Sequence, residues 1–185
     1  MSRPILEPVL LIILAAQVTA TSTHQSSTSE APQIQVLLNN LVATSGQEVT
    51  LHMHLETQTE VEISRLRVEV KFPVAQLSLV RIERPYPVEK VEGKIVSEEM
   101  ESGRIRLEIT VPENSSEALP EEAIAFLVMQ IAGDVEALPL AIRVENVEMW
   151  NLEGQSLEEV QDSQAQINVV SEQLYPLISC FFYMH

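Results

Sequence analysis

The chain has 185 residues, a formal net charge of −16 from 27 acidic and 11 basic side chains, and 45% hydrophobic but only 4% aromatic residues. That is enough chain for one domain with a sizeable core plus short appendages. The acidic excess repels phosphate backbones and anionic headgroups, which excludes nucleic acid as a natural partner.

At the start, Arg3 precedes an apolar run from Pro8 to Ala16, and Val18-Thr19-Ala20 then offers modest or small residues at the third-last and last positions before a cut. This predicts a cleavable secretion signal over residues 1–20. The run is well short of the roughly 20 residues of a membrane helix, so no membrane span is expected. The mature protein is expected to be secreted, extracellular or at the cell surface. Residues 21–31 are Ser/Thr-rich and too polar to bury, as in a flexible spacer. The only cysteine, Cys180, leaves no intrachain disulfide to build.

A folded domain is expected over residues 32–171. Val49, Leu51, Met53 and Leu55 alternate with Thr50, His52, His54 and Glu56 after the turn Ser45-Gly46-Gln47, the period of two of a half-buried strand. The same alternation recurs at Leu66, Val68, Val70 and Phe72 and at Ile105, Leu107, Ile109 and Val111. Their opposite faces carry Arg65, Arg67, Glu69 and Lys71, and Arg104, Arg106, Glu108 and Thr110. Further strands are expected at Ile34 to Leu38, Leu77 to Ile82, Lys94 to Ser97, Ala123 to Ile131, Leu138 to Val147 and Ala165 to Val170. Pro73, Pro85, Pro87, Gly93 and Gly103 punctuate them. The prediction is all-β, an antiparallel sandwich of about nine strands. Glu117 to Glu122 is expected to form a helical turn, and the acidic Glu98, Glu99 and Glu101 a solvated loop. Residues 172–185 form a hydrophobic tail too short to cross a bilayer.

Taken in order, several of these pieces resemble the cohesin domain of cellulosome scaffoldins and its non-cellulosomal relatives. They are Ser45-Gly46-Gln47-Glu48-Val49-Thr50-Leu51, then Val68-Glu69-Val70-Lys71-Phe72 followed by Leu77, then Ala125-Phe126-Leu127-Val128 leading to Leu138-Pro139-Leu140, Val147 to Trp150, Gly154 and Ile167-Asn168-Val169. The resemblance implies a nine-stranded sandwich of jelly-roll topology. It also implies docking of a protein partner, a dockerin in the family, on one sheet face that includes the third, fifth, sixth and eighth strands. On this chain that face would present Arg65, Arg67, Glu69, Arg104, Arg106 and Glu108, a charged pattern where the family usually has Asn and Asp.

Catalysis needs a nucleophile with its base, a carboxylate pair in a cleft, or an open metal site. No such constellation can be assembled, so no enzyme, catalytic residue, metal or cofactor is expected. His52 and His54, with Glu56, share a strand face that a zinc ion would accept if a fourth ligand were supplied, but two solvent-facing histidines are the plainer reading. Asn151 and Glu153 beside Gly154 only hint at a calcium loop. Trp150 is expected to plug the end of the core. The function expected is therefore an exported, non-catalytic module for protein attachment through a charged sheet face, with a link to polysaccharide-degrading assemblies. The alternative is a carbohydrate-binding module using exposed Trp150 and Tyr86.

Overall fold

The computed structural model describes residues 34–57, 61–113, 115–157 and 160–171. The expected signal, the whole Ser/Thr-rich spacer, the first two residues of the expected domain and the tail with Cys180 lie outside the described residues. The strands are β1 (Ile34–Leu38), β2 (Leu41–Thr44), β3 (Glu48–Thr57), β4 (Ile63–Lys71), β5 (Leu77–Glu83), β6 (Lys94–Glu101), β7 (Arg104–Thr110), β8 (Ala123–Ile131), β9 (Pro139–Asn151), β10 (Ser156–Leu157), β11 (Val160–Gln161) and β12 (Ser163–Val170). A single short helix, α1 (Tyr86–Lys90), follows β5. The strands form two sheets, ordered β11-β1-β3-β8-β5 and β2-β12-β9-β4-β7-β6, with β10 added beside β9.

Alternation builds the core. Leu51, Met53 and Leu55 of β3 and Leu127 and Met129 of β8 face Leu66 and Val68 of β4, Leu107 and Ile109 of β7, and Ile142, Val144 and Met149 of β9, and every one of these is buried. Burying two such inner faces against each other is the stable arrangement for sheets that are apolar on one side.

All nine expected strands are present, and the three additional ones are short. β2, β10 and β11 have four, two and two residues, too few to show a period. The sheets are also mixed, where antiparallel ones were expected: β1 runs parallel to β11 and β2 parallel to β12. The chain crosses from one sheet to the other between β1 and β2 and again between β11 and β12. Asn39 and Asn40 lie at the first crossing, where their side-chain oxygens accept the His52 and Gln166 backbone N–H groups at 2.6 and 2.7 Å. Parallel pairing between distant ends needs no local turn and leaves no local sequence signal. Glu117 to Glu122 is irregular, without the expected helical turn, and the acidic Glu98 to Glu101 run completes β6 as a strand. β6 is the outermost strand of its sheet, where charge protects an open edge.

Gly103 makes the β6–β7 turn at φ +79°, and a Cβ there would lie 2.5 Å from the Phe72 carbonyl oxygen. Gly154 has a similar φ of +76° with nothing within 4 Å. Gly154→Ala is expected to cost about 1 kcal/mol from the left-handed backbone alone. Gly103→Ala should cost at least about 2 kcal/mol, because overpacking adds to the same strain. Urea titration of both variants checks this, and equal losses would remove the Phe72 contact as the cause.

Candidate functional site

The solvent-facing side of β9, β4, β7 and β6 is a regular array, because side chains directly opposite one another on paired strands share a face. Its first row is Trp150, Arg65, Thr110 and Lys94; its second is Glu148, Arg67, Glu108 and Val96. The third is Glu145, Glu69, Arg106 and Glu98, and the fourth is Arg143, Lys71, Arg104 and Glu101. All six predicted face residues are therefore neighbours. Residues that the sequence reading left out, Glu145, Glu148, Arg143, Glu98 and Val96, belong to the same array.

The charges are paired within it. Glu108 gives one carboxylate oxygen to Arg65 at 2.9 Å and the other to Arg67 at 3.2 Å, and Arg67 reaches across to Glu148 at 2.9 Å. Glu69 is the one buried charged residue in the described chain, 8% exposed. Arg106 and Asn146 each donate to it at 2.8 Å, on opposite oxygens, and Arg104 lies 3.9 Å away. The like-charged neighbours Glu69 and Glu145 are bridged by Arg104, which lies 3.7 Å from Glu145. Hydrogen bonds from Arg106 and then Asn146 hold the Glu69 carboxyl below the usual carboxylate range. Burial pushes Glu108 up, but the hydrogen bonds from Arg65 and Arg67 outweigh it and its carboxyl also titrates low.

Asn146 owes its place to a bulge. Between the pairs Arg67↔Glu148 and Glu69↔Glu145, β9 has two residues opposite the single Val68, and Asn146 adopts φ 52°. Asn tolerates this left-handed conformation better than most residues. The extra residue also reverses the phase of β9, which corrects two expectations. The strand continues past Val147 to Asn151, and Trp150 does not plug the core. Met149 takes the inward position, fully buried, while the half-buried indole lies on the charged face. Arg65 and Arg67 sit 4.6 and 5.5 Å from its ring centre.

The remaining candidates lie elsewhere. Tyr86, 73% exposed, stands on α1 after β5 of the other sheet and shares no surface array with Trp150. His52 packs on Phe126 with ring centres 4.6 Å apart, and His54 is 6.1 Å from His52. No group of three or more His, Cys, Asp or Glu side chains converges among the described residues. The Asn151 side-chain oxygen accepts the Glu153 and Gln155 backbone N–H groups, so it serves its own turn.

No family model matches the chain, and no curated protein matches it in sequence. Solved structures do. A type I cohesin–dockerin complex from Clostridium thermocellum matches at TM-score 0.65 and 13% identity, over 75% of this chain and 99% of that one. The sixth cohesin of scaffoldin B from Acetivibrio cellulolyticus, in complex with a Cel5 dockerin, matches at TM-score 0.64 and 9% identity over 75% and 99%. The fold is that of cohesin modules. It also occurs in a cohesin module of a Clostridium perfringens family 33 glycoside hydrolase, at TM-score 0.62 and 10% identity over 76% and 98%. Among the nine longer strands, β4, β6, β7 and β9 are the third, fifth, sixth and eighth, and they lie side by side in one sheet.

Both low-titrating carboxyls link folding to pH. A carboxyl lowered in the folded state takes up its proton more readily once unfolded, so its contribution is full above the ordinary value near 4.5 and is lost as pH falls through the lower folded value. Stability should therefore drop with acidification below about pH 5. Glu69→Gln should lower stability at neutral pH and flatten that acid limb. Urea denaturation at a series of pH values tests this, and an unchanged slope would show that Glu69 does not carry the linkage.

Proposed function

We propose that this chain is an exported, non-catalytic binding module that captures a protein partner, a dockerin or another exported protein, on the outer face of β9-β4-β7-β6. One observation carries the reading: an ordered array of paired charges covers one sheet face of a cohesin fold. Two neighbours with this fold are in complexes with dockerins. Export rests on the signal pattern of residues 1–20, and a link to polysaccharide degradation on the family resemblance.

Electrostatics supports the choice of face. Of the basic residues described, only Arg81, Arg84 and Lys90 lie off this face, in a chain of net charge −16. The face is thus a near-neutral window in an acidic body, and an approaching protein meets least repulsion there. Because its ion pairs are already made, they contribute register and specificity more than affinity; exposed pairs are typically worth about 0–1 kcal/mol. Contacts with a partner fall to the uncommitted positions, foremost Val96, 64% exposed in the second row. The carbohydrate alternative is weakened, since Arg65 and Arg67 lie over the Trp150 ring that a sugar would need.

Arg106 is a poor probe of binding, because reversing it would leave the buried Glu69 carboxylate unpaired. Val96→Glu is the better one. Titration calorimetry against a panel of type I dockerins and against exported proteins of the source organism should show at least a ten-fold loss for this variant. Folding stability should stay within about 0.5 kcal/mol of the parent, and Tyr86→Ala should bind normally. Retention on insoluble polysaccharide, lost on Trp150→Ala or Tyr86→Ala with no protein captured, would sink the proposal in favour of sugar binding.

A further inference from the structure

Ion pairing on the outer face leaves a gap in the fourth row. There Lys71 of β4 stands directly between Arg143 of β9 and Arg104 of β7, three cations side by side with Glu101 at the far end of the row. Side chains directly opposite on paired strands have Cβ atoms about 5 Å apart, where like charges destabilise the pair. Arg104 is neutralised, by Glu101 at 3.5 Å, Glu145 at 3.7 Å and Glu69 at 3.9 Å. Arg143 has Glu145, at 3.9 Å and shared with Arg104. None of the ion pairs of this row among the described residues includes Lys71. Both side chains are open to solvent, Lys71 exposed and Arg143 59% exposed. Their other neighbours are neutral: Gln164 stands opposite Arg143, and Ala141 and Gln166 form the next pair along.

Acidic residues outnumber basic ones 27 to 11 in this chain, so a row of three cations runs against composition. It also costs stability through repulsion. A local rule broken without compensation inside the fold points to use by a ligand. The same face shows what satisfies such a pair. Glu108 lays one carboxylate oxygen on Arg65 at 2.9 Å and the other on Arg67 at 3.2 Å. Row four has the two cations and lacks the carboxylate between them.

We propose that Lys71 and Arg143 form a subsite for an acidic side chain, Asp or Glu, of a protein docked on this face. The inference rests on the docking face proposed above and adds the chemistry of the partner. Val96 lies two strands and two rows from Lys71, so a partner with an acidic group over row four and an apolar one over Val96 is held in one orientation. Exposed ion pairs add little affinity, and the subsite acts mainly on encounter rate and orientation.

Tetraglutamate peptide titrated at low salt into the isotope-labelled full chain should shift the amide resonances of Lys71, Arg143 and Gln164 before those of Arg81, Arg84 and Lys90, and tetralysine should shift none of them. Lys71→Gln/Arg143→Gln should weaken tetraglutamate binding at least about five-fold. The urea midpoint of this double variant should stay level or rise, because a repulsion is removed. Shifts spread evenly over all these cations, no shift at row four, or a destabilised double variant overturns the subsite. Inorganic phosphate bound as tightly at the same amides would mean an adventitious ion only, and overturns it too. For a dockerin bound in the calorimetric panel, association should slow at least about three-fold in the double variant. Binding lost with Val96→Glu yet untouched by the double variant removes the subsite and keeps the face. Binding indifferent to Val96→Glu removes the face, and the partner assigned to this subsite with it.

Discussion

The carboxylate of Glu69 is the constraint on which the charged face depends. It is buried to 8% exposure in the middle of a sheet, where an unpaired charge would be strongly destabilising. Its two oxygens are taken by different strands, Arg106 from β7 and Asn146 from β9. The bond from Asn146 exists only because β9 bulges there. The bulge thus satisfies the buried acid and, in the same step, turns Glu148 and Trp150 outward to complete the first two rows of the array. A straight β9 would have put Trp150 into the core and Met149 into water.

That coupling explains which parts of the molecule were legible in the sequence. Strands β3 and β7 alternate without interruption, as does β4 from Arg65 onward, and their inward faces and the outward direction of the six charged residues followed from period, whereas the ends did not: β4 starts at Ile63 behind an irregularity and β7 stops before Val111. β9 broke the period at Asn146, so its second half was misread and Trp150 with it. A bulge is one extra residue whose cost is met by a partner on a neighbouring strand, and nothing local announces it. The acidic half of β6 failed for a related reason. Glu98, Glu99 and Glu101 have low strand propensity, yet an edge strand needs only one paired side and gains from charge on the other. The parallel pairings of β1 with β11 and β2 with β12 are non-local and were out of reach of any pattern in the chain.

The array also explains how a protein so acidic can hold a cohesin fold with a charged face in place of the Asn and Asp residues expected from the family. Asn and Asp offer short side chains whose hydrogen bonds are largely free for a partner. Here long Arg and Glu side chains bond one another first, and their aliphatic stems cover the sheet beneath. The face is consequently stiffer and less polar in its outward demands than its composition suggests. The Nε groups of Arg65 and Arg106 are enclosed without a hydrogen-bond partner, so the array holds these two side chains through their terminal nitrogens, whereas Arg104 also brings its Nε within 3.5 Å of Glu101.

A partner that docked by stripping these pairs apart would have to replace every one of them, because desolvating a charge without a new counterion costs several kcal/mol. Docking that leaves the array intact has no such penalty. Under the proposed function, its energy would come from apolar and neutral polar contacts at positions such as Val96 and Thr110, with the charges acting as a template against surfaces of the wrong register. On this view the array discriminates by what it makes unfavourable. Under the proposed function, changes at individual Arg and Glu positions would alter which surfaces are rejected, while the buried Glu69 and the bulge beside it keep the face in one shape.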